Sequence, residues 1–283
     1  MTLRHPFLAV IPLAALLALT SAPAWPKDTG LIFVSNEKTN NLIVIDPKSY
    51  KIVKDIKVAR RPRDMHFNAD HSKLYVACGD DDVIDIIDVA KLEVVGRINT
   101  GPSPETFAMD EQRRRIYVSN EEGSSLSIID MDQNITVFEV PTGAEPEGVF
   151  VSEDGKTVYV TSEVGDLIHA IDAEGGYVTQ DVVVGTRPRR FAATPDRKEL
   201  WVSTELSGEV YIIDREKFTV TGKIEAYILV GKRSWGITLS KDESKLFVAN
   251  GFGDDITIID VKSRKATISI PVGRIPWGVV IDE

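Results

Sequence analysis

One short phrase occurs six times along this chain at almost constant spacing. It is an apolar run that ends in an aspartate, as in Leu-Ser-Ile-Ile-Asp130. Its six copies end at Asp46, Asp88, Asp130, Asp172, Asp214 and Asp260, which stand 42, 42, 42, 42 and 46 positions apart. A period of this length is typical of propellers and solenoids, in which each unit buries its apolar face against the next. The chain is therefore expected to form a ring or a stack of similar units.

Each period contains four short stretches that are rich in β-branched and aromatic residues. Ile116-Tyr117-Val118-Ser119 is one of these stretches, and turn sequences such as Glu153-Asp154-Gly155 separate them. Four short strands in about 42 residues predict a four-stranded antiparallel blade. No segment after the first twenty residues keeps a helical period, which argues against a helical solenoid. The predicted fold class is therefore all-β.

The two ends of the repeat region predict how the blades are assembled. The chain enters at Leu31 on the second strand of a blade and leaves at Ile281 on an inner strand. Six blades are complete only if the C-terminal inner strand pairs with the N-terminal triplet of strands, which removes the two sheet edges that an open stack would keep at its ends. We therefore predict a single closed β-propeller of six four-stranded blades. A seven-bladed ring and an open stack of sheets are the alternatives.

The first 24 residues have the pattern of a secretory signal. Arg4 precedes an apolar segment at residues 7–19, and Ala22-Pro23-Ala24 follows it. The segment is too short for a membrane span and has a signal-peptidase type of ending. We predict a signal peptide at 1–24 and a propeller domain at 25–283, located in the periplasm and not inserted in the membrane.

Charge and cysteine content exclude several classes of function. The formal charge of the whole chain is −10. Such an acidic chain is a poor candidate for binding nucleic acid or anionic membranes. Cys78 is the single cysteine, so neither an intramolecular disulfide nor a Cys-x-x-Cys-His haem attachment can form.

The histidines and the repeated carboxylates predict structural roles. His66, His71 and His169 fall in different blades, so we expect neither a metal site nor a catalytic centre from them. His169 belongs to a mostly polar repeat position that is expected to hydrogen-bond between blades. The repeat aspartates should accept hydrogen bonds from turn amides. Four further carboxylates share one position after the second strand and should stay solvated or pair with arginines: Glu37, Glu121, Glu163 and Glu205.

The loop that leads into each inner strand is the most informative polar region. In a propeller these loops meet around one mouth of the central channel. The candidate ligand-binding residues there are Arg60, Arg61, Arg63, Arg187, Arg189, Lys232, Arg233, Trp235, Arg274 and Trp277. In an acidic chain this basic and aromatic mouth suits an anionic small molecule or an acidic partner loop. The alternative is that these arginines form ion pairs between blades with Glu105, Glu145 and Glu147.

The repeat residues carry a resemblance to a known family. With Tyr117-Val118-Ser119-Asn120, Ile128-Ile129-Asp130 and Pro271-Val272-Gly273, residues 31–283 resemble the YVTN-type β-propellers. Val160-Thr161-Ser162-Glu163, Arg187-Pro188-Arg189-Arg190-Phe191 and Trp277-Gly278-Val279 are similar to periplasmic propellers associated with catabolism dependent on pyrroloquinoline quinone (PQQ). This resemblance implies a non-catalytic binding or scaffold module for PQQ-dependent alcohol oxidation. It implies a periplasmic quinoprotein dehydrogenase as partner and PQQ as a candidate ligand, and no cofactor of its own.

The chain departs from that narrower family in length. Its members usually have one more blade, and the long 46-residue interval here contains residues 222–231. We interpret the four extra residues as the imperfect join left by a lost repeat. Two other classes of function stay open. One is an enzyme, either a lactonase-like hydrolase or a propeller subunit of a quinoprotein dehydrogenase, and the other is an adhesion module with a featureless mouth.

Overall fold

The structure of the chain is a computed structural model. It describes residues 29–194, 196–207, 209–225, 234–263 and 265–283. The predicted signal peptide at 1–24 lies outside the described residues. The same holds for two of the candidate mouth residues, Lys232 and Arg233.

The described residues form 24 strands in six sheets, which we number as blades 1 to 6. Blade 1 has β24 (Pro276–Ile281), β1 (Ile32–Asn36), β2 (Asn41–Ile45) and β3 (Ile52–Lys57). Blade 2 has β4 (Pro62–Phe67), β5 (Lys73–Cys78), β6 (Val83–Asp88) and β7 (Glu93–Asn99). Blade 3 has β8 (Pro104–Asp110), β9 (Arg115–Asn120), β10 (Ser125–Asp130) and β11 (Ile135–Pro141). Blade 4 has β12 (Pro146–Val151), β13 (Thr157–Ser162), β14 (Leu167–Asp172) and β15 (Tyr177–Val183). Blade 5 has β16 (Pro188–Ala193), β17 (Glu199–Thr204), β18 (Glu209–Asp214) and β19 (Thr219–Glu225). Blade 6 has β20 (Ser234–Leu239), β21 (Lys245–Asn250), β22 (Asp255–Asp260) and β23 (Lys265–Pro271).

The six-bladed, all-β propeller predicted from the repeat is confirmed. Every blade is a four-stranded antiparallel sheet, and the chain ends meet in blade 1. There β24 pairs with β1 in the register Ile32 with Ile281 and Val34 with Val279. One short 3₁₀ turn at Gly79–Asp81 is the helical element among the described residues. None of the described helical segments has the length and apolar character that a membrane crossing requires.

The repeat aspartates cap turns as predicted. Each lies at the end of the third strand of its blade, and its carboxylate accepts a hydrogen bond from an amide three residues later. Asp46 Oδ1, for example, lies 2.7 Å from the amide nitrogen of Ser49. The periodic aspartate is therefore a turn signal, and the apolar run before it is a strand buried between blades.

The core lies between neighbouring blades. An aromatic residue on the second strand packs toward the next blade in five of the six sheets: Phe33, Tyr75, Tyr117, Tyr159 and Phe247. Among the described residues, buried apolar clusters join blades 1 and 2, 2 and 3, 3 and 4, 4 and 5, and 6 and 1. None of these clusters joins blade 5 to blade 6. Hydrogen bonding in blade 1 thus closes the ring. Buried apolar clusters of the described residues, by contrast, join the blades at five of the six boundaries.

Candidate functional site

A bulge at the start of each inner strand aims one side chain at the mouth of the channel. In blade 2 the pairing jumps from Pro62 with Cys78 to Met65 with Val76, so two residues oppose Ala77 alone. Such bulges turn a side chain away from the regular sheet direction. The same shift recurs in the other blades. The first bulge residues, which we call the mouth ring, are Arg63, Glu105, Glu147, Arg189, Trp235 and Trp277.

In five of the blades, the residue before the inner strand is fixed in an unusual backbone conformation. Arg61 and Arg187 both have positive φ, at 57° and 59°. Their amides donate to side-chain oxygens of the preceding blade, Arg61 to Asn40 Oδ1 at 2.9 Å and Arg187 to Asp166 Oδ1 at 3.0 Å. Left-handed backbone at such bulky residues persists only where surrounding contacts hold it. Both guanidinium groups are therefore placed at the mouth by the neighbouring blade.

Two ion-pair clusters occupy the mouth. In the first, on blades 1 to 3, Arg63 Nε lies 2.6 Å from Glu37 Oε1 and its Nη1 contacts Glu105. Arg61 Nη2 lies 2.9 Å from the same Glu105 and also contacts Glu121. Every one of these four contacts joins residues of different blades. They therefore act as electrostatic links around the ring.

The second cluster lies on blades 4 and 5. Arg189 is 2.5 Å from Glu147 through Nη1, 2.6 Å from Glu163 through Nη2 and 2.9 Å from Glu205 through Nε. Arg187 contacts Glu163 as well, and its Nε lies 3.4 Å from Glu205. Because Glu163 is almost fully buried, its contacts with these arginines are shielded from water.

The other candidate residues lie in different surroundings. Arg60 is largely exposed and forms an ion pair with Asp81 at 2.7 Å, and Arg274 is exposed. Trp277 is buried beneath the mouth. Trp235 lines the mouth and stacks edge-on against Phe252, with ring centroids 6.0 Å apart.

The sequence indicated an excess of cations at the mouth. Among the described residues, however, glutamates outnumber the inner arginines there. The four inner arginines are Arg61, Arg63, Arg187 and Arg189. They contact seven glutamates: Glu37, Glu105, Glu121, Glu145, Glu147, Glu163 and Glu205. The predicted pairing of the repeat glutamates with arginines is confirmed, and so is the ion pairing between blades. Anion binding at this mouth stays a prediction.

Glu163 has an altered affinity for protons. Burial raises the pKa of its carboxyl group, and the nearby Glu147 carboxylate raises it further, to about 8. Arg187 and Arg189 oppose this shift but are shared among several carboxylates. At neutral pH the second cluster therefore tends to keep one proton on a carboxyl group, which reduces its negative charge.

A second polar arrangement, which was not predicted from the sequence, crosses the channel below the mouth ring. Arg190 of blade 5 reaches Asp64 of blade 2, with 3.1 Å between Nη1 and Oδ1. Its guanidinium also lies over the Trp277 ring, 4.5 Å from the centroid. Burial would raise the pKa of Asp64, but Arg190 and then His66 hold that pKa well below its usual value. The pair is therefore ionised and spans opposite sides of the ring.

A sequence signal for this pair did exist. Arg190 and Asp64 occupy the same repeat position, the second bulge residue, three repeats apart. In a ring of six units such positions face each other. Their equivalents are small or uncharged: Thr106, Gly148, Gly236 and Gly278. Two opposite charges that occupy the same repeat position three repeats apart therefore indicate an ion pair across the channel of a six-bladed propeller.

His66, His71 and His169 all make polar contacts, and His66 and His71 both belong to blade 2, so the expectation that the three lie in different blades was wrong for this pair. His66 Nε2 lies 3.0 Å from Asp64, and His71 Nδ1 lies 2.9 Å from Asp282. His169 Nε2 accepts from the amide of Gly143 at 3.1 Å, in the loop that joins blades 3 and 4. This agrees with the predicted linking role of that repeat position. Within the described ranges, no three His, Cys, Asp or Glu side chains are grouped so as to hold a metal ion.

Three cavities follow the channel. A recess of about 180 Å³ lies at the mouth, lined by both ion-pair clusters and by Trp235 and Trp277. A cavity of about 640 Å³ lies beneath it and is lined mainly by apolar groups, together with Asp64, His66 and Arg190. Another, of about 310 Å³, lies among blades 2 to 5 and also contacts Arg190. Arg190 therefore borders the two larger of these cavities, and Asp64 borders the 640 Å³ one.

Several solved structures are similar to this chain in fold. Hydrazine synthase from Kuenenia stuttgartiensis has a TM-score of 0.66 at 19% identity, covering 89% of this chain and 86% of that one. A protein of unknown function from Bacteroides caccae has a TM-score of 0.67 at 11% identity, covering 89% and 98%. The dihydro-heme d1 dehydrogenase NirN, solved in complex with DHE, has a TM-score of 0.55 at 14% identity, covering 94% and 78%. At these identities the similarity shows the fold alone.

Sequence comparison is more specific. No curated protein has a significantly similar sequence. The model of the YNCE-like beta-propeller family matches residues 20–191, which is more than half of the chain. Its repeats, its closed ring of blades and this match together identify the chain as a member of the YNCE-like beta-propeller family.

Proposed function

We propose that this chain is a non-catalytic periplasmic binding module that accompanies PQQ-dependent alcohol oxidation. Its mouth ring would hold either PQQ or an acidic loop of a quinoprotein dehydrogenase. The observation that carries the proposal is the mouth ring itself, where bulges fix two adjacent tryptophans beside arginines already oriented by glutamates. Groups held in place before binding lose less conformational freedom when a ligand arrives.

The chemistry of the mouth fits a planar, multiply charged ligand. Trp235 offers aromatic surface at the mouth, the buried Trp277 lies beneath it, and Arg63 lies 5.8 Å from the Trp277 ring centroid. Arg187 is the most accessible of the four inner arginines, so its guanidinium can donate hydrogen bonds to a carboxylate of the ligand. The raised pKa of Glu163 also favours this, because a protonated neighbour repels an incoming anion less than an ionised one.

The test is titration of PQQ, and separately of a purified quinoprotein alcohol dehydrogenase, against the wild type and Arg187→Gln. Loss of one charged hydrogen-bond partner costs about 1.5 to 3 kcal/mol. We therefore expect binding to weaken by roughly tenfold or more. Arg114→Gln is the matched control, because Arg114 is also an arginine paired with a carboxylate but lies at the opposite end of the blades. Wild type that binds neither PQQ nor the dehydrogenase would overturn the proposal.

A second candidate function has one specific observation in its favour. Ser162, His169 and Asp181 are hydrogen-bonded in series, with 2.8 Å from Oγ to Nε2 and 2.6 Å from Nδ1 to Asp181 Oδ1. This is the connectivity of a hydrolase triad. However, the Ser162 side chain is fully buried, and the backbone of Gly143 packs directly on it. The Gly143 amide also occupies His169 Nε2, the atom that a general base would use.

The hydrolase alternative can be tested directly on the native protein. A fluorophosphonate labels activated serines that it can reach, and intact-mass analysis detects the adduct. We expect no adduct on the folded chain, because Ser162 is covered. Labelling that is lost in Ser162→Ala would instead favour a hydrolase.

A further inference from the structure

The boundary between blades 5 and 6 is built differently from the other boundaries. At the second-strand aromatic position, five residues are at most 9% exposed: Phe33, Tyr75, Tyr117, Tyr159 and Phe247. Trp201 holds this position in blade 5, and it is 36% exposed. One strand further out, Val210 is half-buried, whereas its five counterparts are completely buried: Leu42, Ile84, Leu126, Ile168 and Ile256. Within the described parts of the chain, the face of blade 5 toward blade 6 is therefore only partly covered.

The opposing face of blade 6 shows the same pattern. Ile237 on β20 is 65% exposed, while Met65, Phe107 and Val279 at the same repeat position are at most 3% exposed. Leu239, two residues further along, is also exposed. Two apolar walls thus face each other across a cleft among the described residues. This cleft lies at the boundary that contains the 46-residue interval, where the sequence indicated a lost repeat.

The cleft opens into the 640 Å³ cavity. Trp201, Ser203 and Val210 of blade 5 and Ile237 and Thr238 of blade 6 form its outer part. Phe191, Trp235 and Trp277 continue the wall inward. Ligand pockets are typically about 300 to 1,000 Å³, mainly apolar, with a few converging polar groups. The cavity has this size and this composition.

Its polar end is the Arg190–Asp64 pair. Asp64 accepts from Arg190 Nη1, from the Phe107 amide at 3.2 Å and from His66. The Arg190 guanidinium has five N–H donors, and among the described residues its ion pair is the one that Nη1 makes with Asp64. Arg190 lines the cavity, so its donors are available to a ligand there. Since Asp64 already balances the charge of Arg190, the oxygen that accepts from these donors does not need to be charged.

We propose that the cleft between blades 5 and 6 binds a small, uncharged aromatic molecule that carries a carbonyl or hydroxyl oxygen. Its ring packs between Trp201 and Ile237, and its oxygen accepts a hydrogen bond from Arg190. This site goes beyond the proposed function at the mouth, which concerns charged ligands above the ring. Trp235 and Trp277 border both sites, so neither is altered in the test below.

The test uses three naphthalenes of similar size. They are 2-acetylnaphthalene, which is neutral with a carbonyl, 2-ethylnaphthalene, which lacks oxygen, and 2-naphthoate, which is an anion. Binding is followed by quenching of tryptophan fluorescence and by isothermal titration calorimetry. We expect 2-acetylnaphthalene to bind at least fivefold more tightly than either of the others. Tighter binding of 2-naphthoate would overturn the proposal, as would no binding at all.

Variants locate the binding. Trp201→Ala and Ile237→Ser should each weaken 2-acetylnaphthalene at least tenfold, and both positions are exposed enough for the fold to tolerate the change. Tyr177→Ala, an exposed aromatic on the outer strand of blade 4, is the matched control and should change nothing. Arg190→Lys keeps a cation beside Asp64 but loses the planar fork. It should weaken the ketone several-fold and leave 2-ethylnaphthalene unaffected, which a purely structural role would not do.

A second copy of the chain is the competing occupant of the cleft. Sedimentation of the wild type and Trp201→Ala distinguishes the two. We expect both to be the same species, with the ketone bound by the wild type. A wild-type dimer that Trp201→Ala converts to a monomer would overturn the proposal and identify the cleft as an interface.

Discussion

At the scale of single residues, the mouth is a network in which every inner arginine is shared. Arg63 joins blades 1 and 3 through Glu37 and Glu105. Arg189 does the same for blades 4 and 5 through Glu147 and Glu205. Breaking one partner of a buried ion pair costs about 3 to 5 kcal/mol, because the other charge is left in a poorly solvated site. The network therefore positions side chains for recognition and at the same time couples neighbouring blades.

Glu163 makes the stability of this network dependent on pH. In the folded chain burial and Glu147 raise its pKa from 4.5 to about 8. A group with a raised folded pKa stabilises the fold below its unfolded pKa, and this contribution is lost as pH rises through the folded pKa. We expect the free energy of unfolding to fall between about pH 5 and pH 8, and Glu163→Gln to flatten this fall. Each pKa unit corresponds to about 1.4 kcal/mol.

The measurement is urea unfolding at several pH values between 5 and 8.5. Asp132→Asn serves as control, since Asp132 is an exposed carboxylate that pairs with Arg114 away from the mouth. Its profile should run parallel to that of the wild type. Identical pH profiles for Glu163→Gln and the wild type would show that Glu163 ionises in the usual range.

At the scale of strands, one hydroxyl links the inner-strand bulge to the next blade in blades 1, 3 and 4. Thr161 Oγ1 accepts from the Gly148 amide at 2.7 Å within blade 4 and donates to the Arg189 carbonyl of blade 5 at 3.0 Å. Ser35 makes the same pair of bonds between blades 1 and 2. The hydroxyl satisfies backbone groups that the bulge removes from the regular ladder. It therefore fixes both the bulge and the position of the mouth-ring residue that follows.

Replacing this hydroxyl should loosen the link. Thr161→Val keeps the shape of the buried side chain and removes both hydrogen bonds, so we expect a loss of about 1 to 3 kcal/mol in the free energy of unfolding. Thr161→Ser retains the hydroxyl and loses one methyl group, worth about 0.8 kcal/mol. Urea midpoints of the two variants compare these effects. A larger loss in Thr161→Ser than in Thr161→Val would contradict the linking role.

The strands themselves were predictable, because their signals are local. The aspartate turns, the β-branched runs and the inner-strand prolines each specify structure within a few residues. The partners of the mouth arginines were harder to predict from the sequence, since each arginine contacts at least one glutamate of another blade and the separation of blades depends on the closed ring. The Arg190–Asp64 contact was missed for the same reason, as it joins residues 126 positions apart.

At the scale of the whole molecule, hydrogen bonding and apolar packing differ in how completely they close the ring. Six blades close through β24 and β1, so the hydrogen-bonded circle survives. Apolar packing is less complete at one blade boundary than at the others, since Trp201 and Ile237 remain exposed where blade 5 meets blade 6. The irregular spacing of the repeat marked this boundary in the sequence. The cleft could not be predicted from it, because a ring can accommodate irregular spacing either evenly or at one boundary.

Closure in blade 1 should dominate the stability of the ring. Deleting residues 274–283 removes β24 with the buried Trp277 and Val279, together with the Asp282 contacts to Thr29 and His71. At about 1.5 to 3 kcal/mol for each buried apolar side chain, the loss is a large part of a typical total of about 5 to 15 kcal/mol. The shortened chain should melt far below the full chain or aggregate, whereas deletion of the exposed Glu283 alone should have little effect. A synthetic peptide of residues 274–283 should raise the melting temperature of the shortened chain by restoring the pairing with β1. A shortened chain that melts like the full one, with no response to the peptide, would contradict closure by the C-terminal strand.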